Sequence, residues 1–310
     1  NDISMKSPYA ALCGITREEL QQTFLPELER LAKRRGRSLQ EVIDLMECQY
    51  DGYHFHPEGA GMFNPFSVLN AFDAEELGYY WFQTGTPTYL VDLLKQSDYD
   101  IRLLIDGVEV LVSAFSEYRA ESRNPLPMIY QSGYLTIKGY DDDVKLYTLG
   151  FPNDEVRYGF LNFLVPYYTN VSNDESGFHI AKFMRELKSG DVEAFVERLK
   201  IFFAGIPYEL SDDTERHYQA IFHVVFTLLG QFIQSEVRSS RDRADAVVHT
   251  PHVIYVFEFK LDGTAEAALK QIEEKGYLIP YTLDGKRLVK VGVNFSKETR
   301  NIDEYIIVEE

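Results

Sequence analysis

Glu258 and Lys260 stand two residues apart in the stretch VIYVFEFKLDG, which runs from Val253 to Gly263. Val253 to Phe257 are all apolar, as in a strand buried on both faces. Residues two apart on a strand share a face, so a carboxylate and an ammonium emerge side by side at the end of a covered strand. Upstream, RADAVV ends at Val248. With HTPH as the hairpin loop, Val248 pairs with Val253 and Asp245 with Val256. That register predicts Asp245 on the face of Glu258 and Lys260, diagonal to Glu258 at roughly 7–8 Å between backbones. A one-residue slip would send Asp245 to the opposite face.

Two carboxylates so placed can reach a common cation. Mg²⁺ (or Mn²⁺) takes oxygen ligands, typically one or two protein carboxylates with water and phosphate completing the shell. The ion generates hydroxide near neutral pH and polarises a phosphoryl oxygen. Lys260 beside it would orient the water or balance charge growing on the phosphate. Asp245, Glu258 and Lys260 thus have the chemistry of metal-dependent phosphodiester hydrolysis. A Glu-x-Lys pair alone is more often an exposed ion pair worth about 0–1 kcal/mol. Asp245 in register and the apolar run leading to the charges favour the chemical reading.

The elements that must position this group are legible from periodicity and turn signals. Residues 1–125 read as mainly helical. TREELQQTFLPELERLAKRRG opens on Thr16 with Glu19 three residues on, a capping-box spacing, and closes at Gly36 as one helix. A second helix starts at Ser38. The stretch YDGYHFHPEGAGMFNPFSVLNAF is a loop entering a helix near Pro65. Residues 126–168 change texture: two aromatic, β-branched runs flank a Gly-Tyr-Asp-Asp-Asp turn, a β-hairpin signal. Short helices with a two-stranded wing indicate a winged-helix-like module. Asp141, Asp142 and Asp143 make phosphate contact at the wing tip unfavourable, so a structural spacer is expected there. Residues 169–177 (TNVSNDESG) read as a linker. Residues 178–310 read as helices, a strand hairpin, a crossover helix from Thr264 and late strands: an α/β domain with a mixed sheet.

Together the residues EVRSSRDRADAVV and YVFEFKLDGTAEAALKQIEEKGY resemble the PD-(D/E)XK nuclease superfamily, in the bacterial group where that nuclease follows an AAA-type ATPase-like domain. YDGYHF, NPFSVLNAF, YYWFQTGTPTYL and YQSGYLTIKGY are similar to the upstream part of the same group. The resemblance implies a restriction-endonuclease-like domain over 178–310, preceded by the helical end of the ATPase-like domain. It implies Asp245 and Glu258 as the motif's two acids and Lys260 as its lysine, with Mg²⁺ or Mn²⁺ as cofactor and nucleic acid, in the first place DNA, as partner. Gln271 and Tyr277 are similar to a glutamine and tyrosine that contact the lysine or DNA. Glu215 matches an additional acid from the first helix, which it shares with Gln219 and His223. Arg238, Arg241 and Arg243 read either as phosphate contacts or as solvated strand-end arginines. Asp242 stands where the family commonly has glycine, which adds negative charge near the site. No GxxxxGK[ST] motif is present, so no ATP hydrolysis is expected of this chain.

Composition bounds the rest. The chain has 310 residues, 45% hydrophobic and 26% charged, an ordinary globular balance. It opens on Asn1 rather than Met, and a fragment or processed chain is expected. A formal net charge of −18 argues against non-specific polyanion binding by the whole surface. There is no apolar run of the ~18–20 residues a membrane span needs. Cys13 and Cys48 have no zinc-ligand spacing, and such low cysteine use fits a reducing cytosol, so a cytoplasmic location is expected. Two other readings stand beside the nuclease: a nuclease-fold binding or regulatory module with little catalysis, and a scaffold whose helical half binds a protein partner or itself.

Overall fold

A computed structural model describes residues 5–83, 88–97, 99–115, 124–169, 173–206, 214–230, 234–237 and 245–309. The chain divides into two compact units, Asn1–Phe160 and Leu161–Glu310.

The first unit begins with α1 (Arg17–Thr23), α2 (Leu25–Arg35), α3 (Leu39–Tyr50) and α4 (Pro65–Ala74). Thr16 and Ser38 both make full capping boxes, with Glu19 and Glu41 respectively. The single helix expected from Thr16 to Gly36 is instead two, divided at Phe24. Pro26 is the reason: it has no N–H to continue the first helix and fits the first turn of a new one. Leu20, Leu28, Leu31, Val42, Met46 and Tyr50 form the shared core of this bundle. Asn64 caps α4 by accepting from the amides of Phe66 and Ser67.

Further along lie α5 (Thr88–Gln96), α6 (Arg102–Asp106), β1 (Val108–Val110), α7 (Leu126–Gln131), β2 (Thr136–Asp141), β3 (Leu146–Gly150) and α8 (Asp154–Thr169). The expected hairpin is β2–β3. The short strand β1, which its three residues were too few to announce, joins it in the order β1-β3-β2. Glu155, in the first turn of α8, is fully buried. Its carboxylate accepts from Ser67 Oγ at 2.6 Å and from the Trp81 amide at 3.0 Å, tying α4 and the Trp81 turn to α8.

The second unit contains α9 (Asn173–Ser189), α10 (Val192–Ala204), α11 (Thr214–Leu229), β4 (Gln234–Val237), β5 (Ala246–His249), β6 (Val253–Leu261), α12 (Ala265–Lys275), β7 (Arg287–Ser296) and β8 (Asn301–Glu309). Residues 173–177 of the expected linker are the first turns of α9, and residues 170–172 lie outside the described set. The sheet runs β4-β5-β6-β7-β8, with β6 and β7 parallel and the other pairs antiparallel. This is the mixed sheet anticipated from the strand–helix–strand pattern.

Its two faces differ in kind. Tyr255, Phe257 and Phe295 face the helices α9–α11: Phe257 meets Phe195 and Phe226 with ring centroids 5.5 and 5.1 Å apart, and Phe295 meets Phe203 at 5.3 Å. The other face packs on α12 through Val247, Ile254, Val256, Ile272 and Leu288. Glu258 and Lys260 alternate onto this second face. Gly292, paired with Glu258, lets α12 lie close: a Cβ there would sit 2.4 Å from the Ala265 carbonyl oxygen and 2.9 Å from the Leu269 side chain. Because the first obstacle is backbone, Gly292→Ala should push α12 from the sheet and cost about 1–3 kcal/mol. Chemical denaturation is expected to show the lower midpoint, and an unchanged midpoint would mean that α12 is not held this closely.

Candidate functional site

The β5–β6 hairpin sets the geometry. Thr250 and Val253 close it, with the Thr250 amide donating to the Val253 carbonyl at 2.8 Å and the Val253 amide donating to Thr250 Oγ1 at 2.9 Å. The turn is therefore Pro251-His252 rather than the four-residue HTPH loop, and the register moves by two from the one expected. Val248 pairs with Tyr255 and Ala246 with Phe257. Asp245, one residue before the ladder begins, falls opposite Glu258 instead of Val256. A shift of two preserves the face, so the shared face holds and Asp245 comes closer than the diagonal placement implied.

Asp245 also does local structural work. Its Oδ2 accepts from the Phe259 amide at 2.8 Å, which ties the residue ahead of β5 to β6. Lys260 Nζ donates to Glu258 Oε1 at 3.1 Å and to Gln271 Oε1 on α12. Gln271 Nε2 in turn donates to Tyr277 Oη at 3.4 Å, a long contact. The structure thus brings together Asp245, Glu258, Lys260, Gln271 and Tyr277. Arg238, Arg241, Arg243 and Asp242 lie outside the described residues, as does the side chain of Glu215 on α11. Among the described residues no group of three or more His, Cys, Asp or Glu is assembled for a metal ion.

Glu258 is only 2% exposed, and its Oε2 is buried without a hydrogen-bond partner. Burial pushes its carboxyl up to about 7, the charge of Asp245 adds to the rise, and Lys260 only partly opposes it. Asp245 is raised as well, chiefly by burial, against the lowering effect of the Phe259 amide, Lys260 and His223. His223 is a buried residue of α11 whose electrostatic influence on Asp245 was not evident from sequence, because the two lie on segments far apart in the chain. A desolvated carboxylate pair with an orphaned oxygen is a donor set suited to a hard divalent cation. The residues present therefore fit such an ion, with Asp245 and Glu258 as the groups that would hold it.

Residues 213–305 match the family model of the PD-(D/E)XK nuclease superfamily, and the match supports a nuclease-superfamily domain in the second unit. A protein of Azotobacter chroococcum mcd 1, described as an uncharacterized protein in the vnfD 5'region, is 30% identical over 326 aligned residues. The alignment takes in 99% of the present chain and 58% of that relative, so the chain spans a little over half the relative's length. No solved structure matches the chain. Among the described residues no helix is long and apolar enough to cross a membrane.

The raised Glu258 carboxyl has a consequence for stability. Its folded pKa of about 7 lies above the ordinary 4.5, so the stabilising protonated form is full below about pH 4.5 and is lost as pH rises through about 7. In the metal-free protein this group should cost on the order of 3 kcal/mol by pH 8. Denaturant titrations at pH 5.5 and 8 should show about 2 kcal/mol of this loss, and Glu258→Gln should remove most of it. An equal pH slope in wild type and Glu258→Gln would contradict a desolvated Glu258.

Proposed function

We propose that the second unit hydrolyses phosphodiester bonds of nucleic acid, DNA in the first place, with Mg²⁺ or Mn²⁺ held by Asp245 and Glu258. The observation that carries this reading is the placement of both carboxylates on the α12 face, beside an ammonium hydrogen-bonded to Glu258. When bound, the ion would supply an activated water and a Lewis acid for the phosphate. Asp245 and Glu258 would hold the ion, both in the ionised form. Lys260 is placed to orient the attacking water and to balance negative charge on the phosphate. Gln271 accepts from Lys260 and limits where its ammonium can go, and Tyr277 supports Gln271 from the end of α12. Arg238, Arg241 and Arg243 are assigned to phosphate contact and Glu215 to a further acidic ligand, both from the family resemblance.

For the first unit, the reading is the helical end of an ATPase-like module whose residues 126–168 form a winged-helix-like spacer. The β2–β3 hairpin following α7, with β1 alongside, supports it. The acidic tip at Asp141, Asp142 and Asp143 directs nucleic acid to the second unit instead.

Cleavage of labelled single- and double-stranded DNA with Mg²⁺ or Mn²⁺ tests the proposal. Lys260→Ala should lower the rate about 10²–10³-fold, and Asp245→Ala should do at least as much. Wild-type protein that cuts neither substrate, or variants that cut as fast as wild type, would remove these residues from phosphodiester chemistry. A protein that binds DNA without cutting it would instead be the nuclease-fold binding module.

A further inference from the structure

Lys260, Asn294 and Glu304 lie side by side across β6, β7 and β8: Lys260 is in register with Asn294, and Asn294 with Glu304. Directly paired residues share a face, so all three point toward α12. The latter two are occupied with the connection that leads from Lys260 into that helix. Asn294, 6% exposed, accepts from the Gly263 amide through Oδ1 at 2.8 Å. Glu304 Oε2 accepts from the Ala265 amide at 3.0 Å, at the first residue of α12. There it satisfies an amide that has no partner within the helix and meets the positive end of the helix dipole.

The connection is tight against the lysine itself. A Cβ on Gly263 would lie 3.0 Å from the Cβ of Lys260 and 3.5 Å from its Cγ. Asp262 adopts a left-handed φ of 49°, its amide donating to the Phe295 carbonyl and its Oδ1 accepting from the Lys297 amide. The turn thus folds back over the stem of Lys260, while the helix it starts carries Gln271 to the ammonium. Asn294 and Glu304 touch neither the carboxylate pair nor Lys260 through any of these bonds.

We infer that Asn294 and Glu304 are positioning residues for the Lys260 ammonium: they seat the β6–α12 turn so that the lysine stem is clamped and Gln271 meets its head. The inference rests on the proposed hydrolysis only for the lysine's part in chemistry, and its structural content is independent of that. Losing either acceptor frees the start of α12, so Gln271 and the ammonium separate while Asp245 and Glu258 keep their places on the hairpin.

The full chain labelled with ¹⁵N-lysine provides the test, with the Lys260 ammonium resonance assigned by its absence in Lys260→Arg. Asn294→Ala and Glu304→Ala should shift this resonance or exchange-broaden it away. Asn294→Asp and Glu304→Gln, which retain an oxygen acceptor, should keep it visible. Where wild type cleaves DNA, Asn294→Ala should lower kcat about tenfold with KM unchanged, and Glu304→Gln should restore most of the activity lost in Glu304→Ala. If wild type does not cleave, the proposed hydrolysis fails, and the ammonium resonance still decides the positioning role. An unaltered Lys260 resonance in folded Asn294→Ala would overturn the inference. Should that variant not fold, the same result in Glu304→Ala, nearer the sheet's edge, overturns it.

Discussion

Two carboxylates held next to each other away from water repel, and each is costly to ionise alone. Asp245 and Glu258 are in this condition: burial raises both carboxyls above their ordinary ranges, and the Asp245 charge raises Glu258 further. Much of the second unit serves to keep them there. The aromatic face of β6 is anchored on Phe195 and Phe226, which fixes the strand that carries Glu258. The Pro251-His252 turn sets the register that brings Asp245 opposite. Gly292 admits α12 close above the sheet, and α12 delivers Gln271 to Lys260. One ammonium offsets part of the repulsion, but Glu258 Oε2 keeps no hydrogen-bond partner. A small divalent cation would meet both needs at once, since it ionises and binds both acids.

The sheet end carries a second layer of organisation. The row Lys260–Asn294–Glu304 crosses three strands and couples the lysine to the start of α12 through backbone amides. In this arrangement the position of the ammonium depends on residues some 34 and 44 places later in the chain. Helix placement and site geometry are therefore one problem, which is why a glycine-to-alanine change at 292 and loss of the Asn294 acceptor bear on the same contact.

What sequence could show followed from short-range physics. The Glu258/Lys260 spacing on β6, the Thr16 and Ser38 capping boxes and the presence of a mixed sheet were readable because each leaves a local pattern of residue types. The hairpin register was misjudged by two because Thr250 and Val253 bond each other, a pairing that composition does not reveal. The error was harmless to the site since strand side chains repeat every two residues. Pro26 divides a helix whose apolar spacing runs on unbroken past it. Nothing in the residues around Glu155 marks it as buried; its partners on α4 and the Trp81 turn, distant in the chain, explain it. Asn294 stands in the strand LVKVGVNFS with nothing to mark its role, because its partner is a backbone amide that leaves no trace in sequence.

Binding of Mn²⁺ to the full chain, followed by calorimetry at pH 8 for wild type, Asp245→Asn and Glu258→Gln, tests the cation-seeking pair most directly. The account predicts a saturable site in wild type that is weakened at least tenfold in each variant. Equal Mn²⁺ binding in all three proteins, or none in wild type even with DNA present, would contradict it.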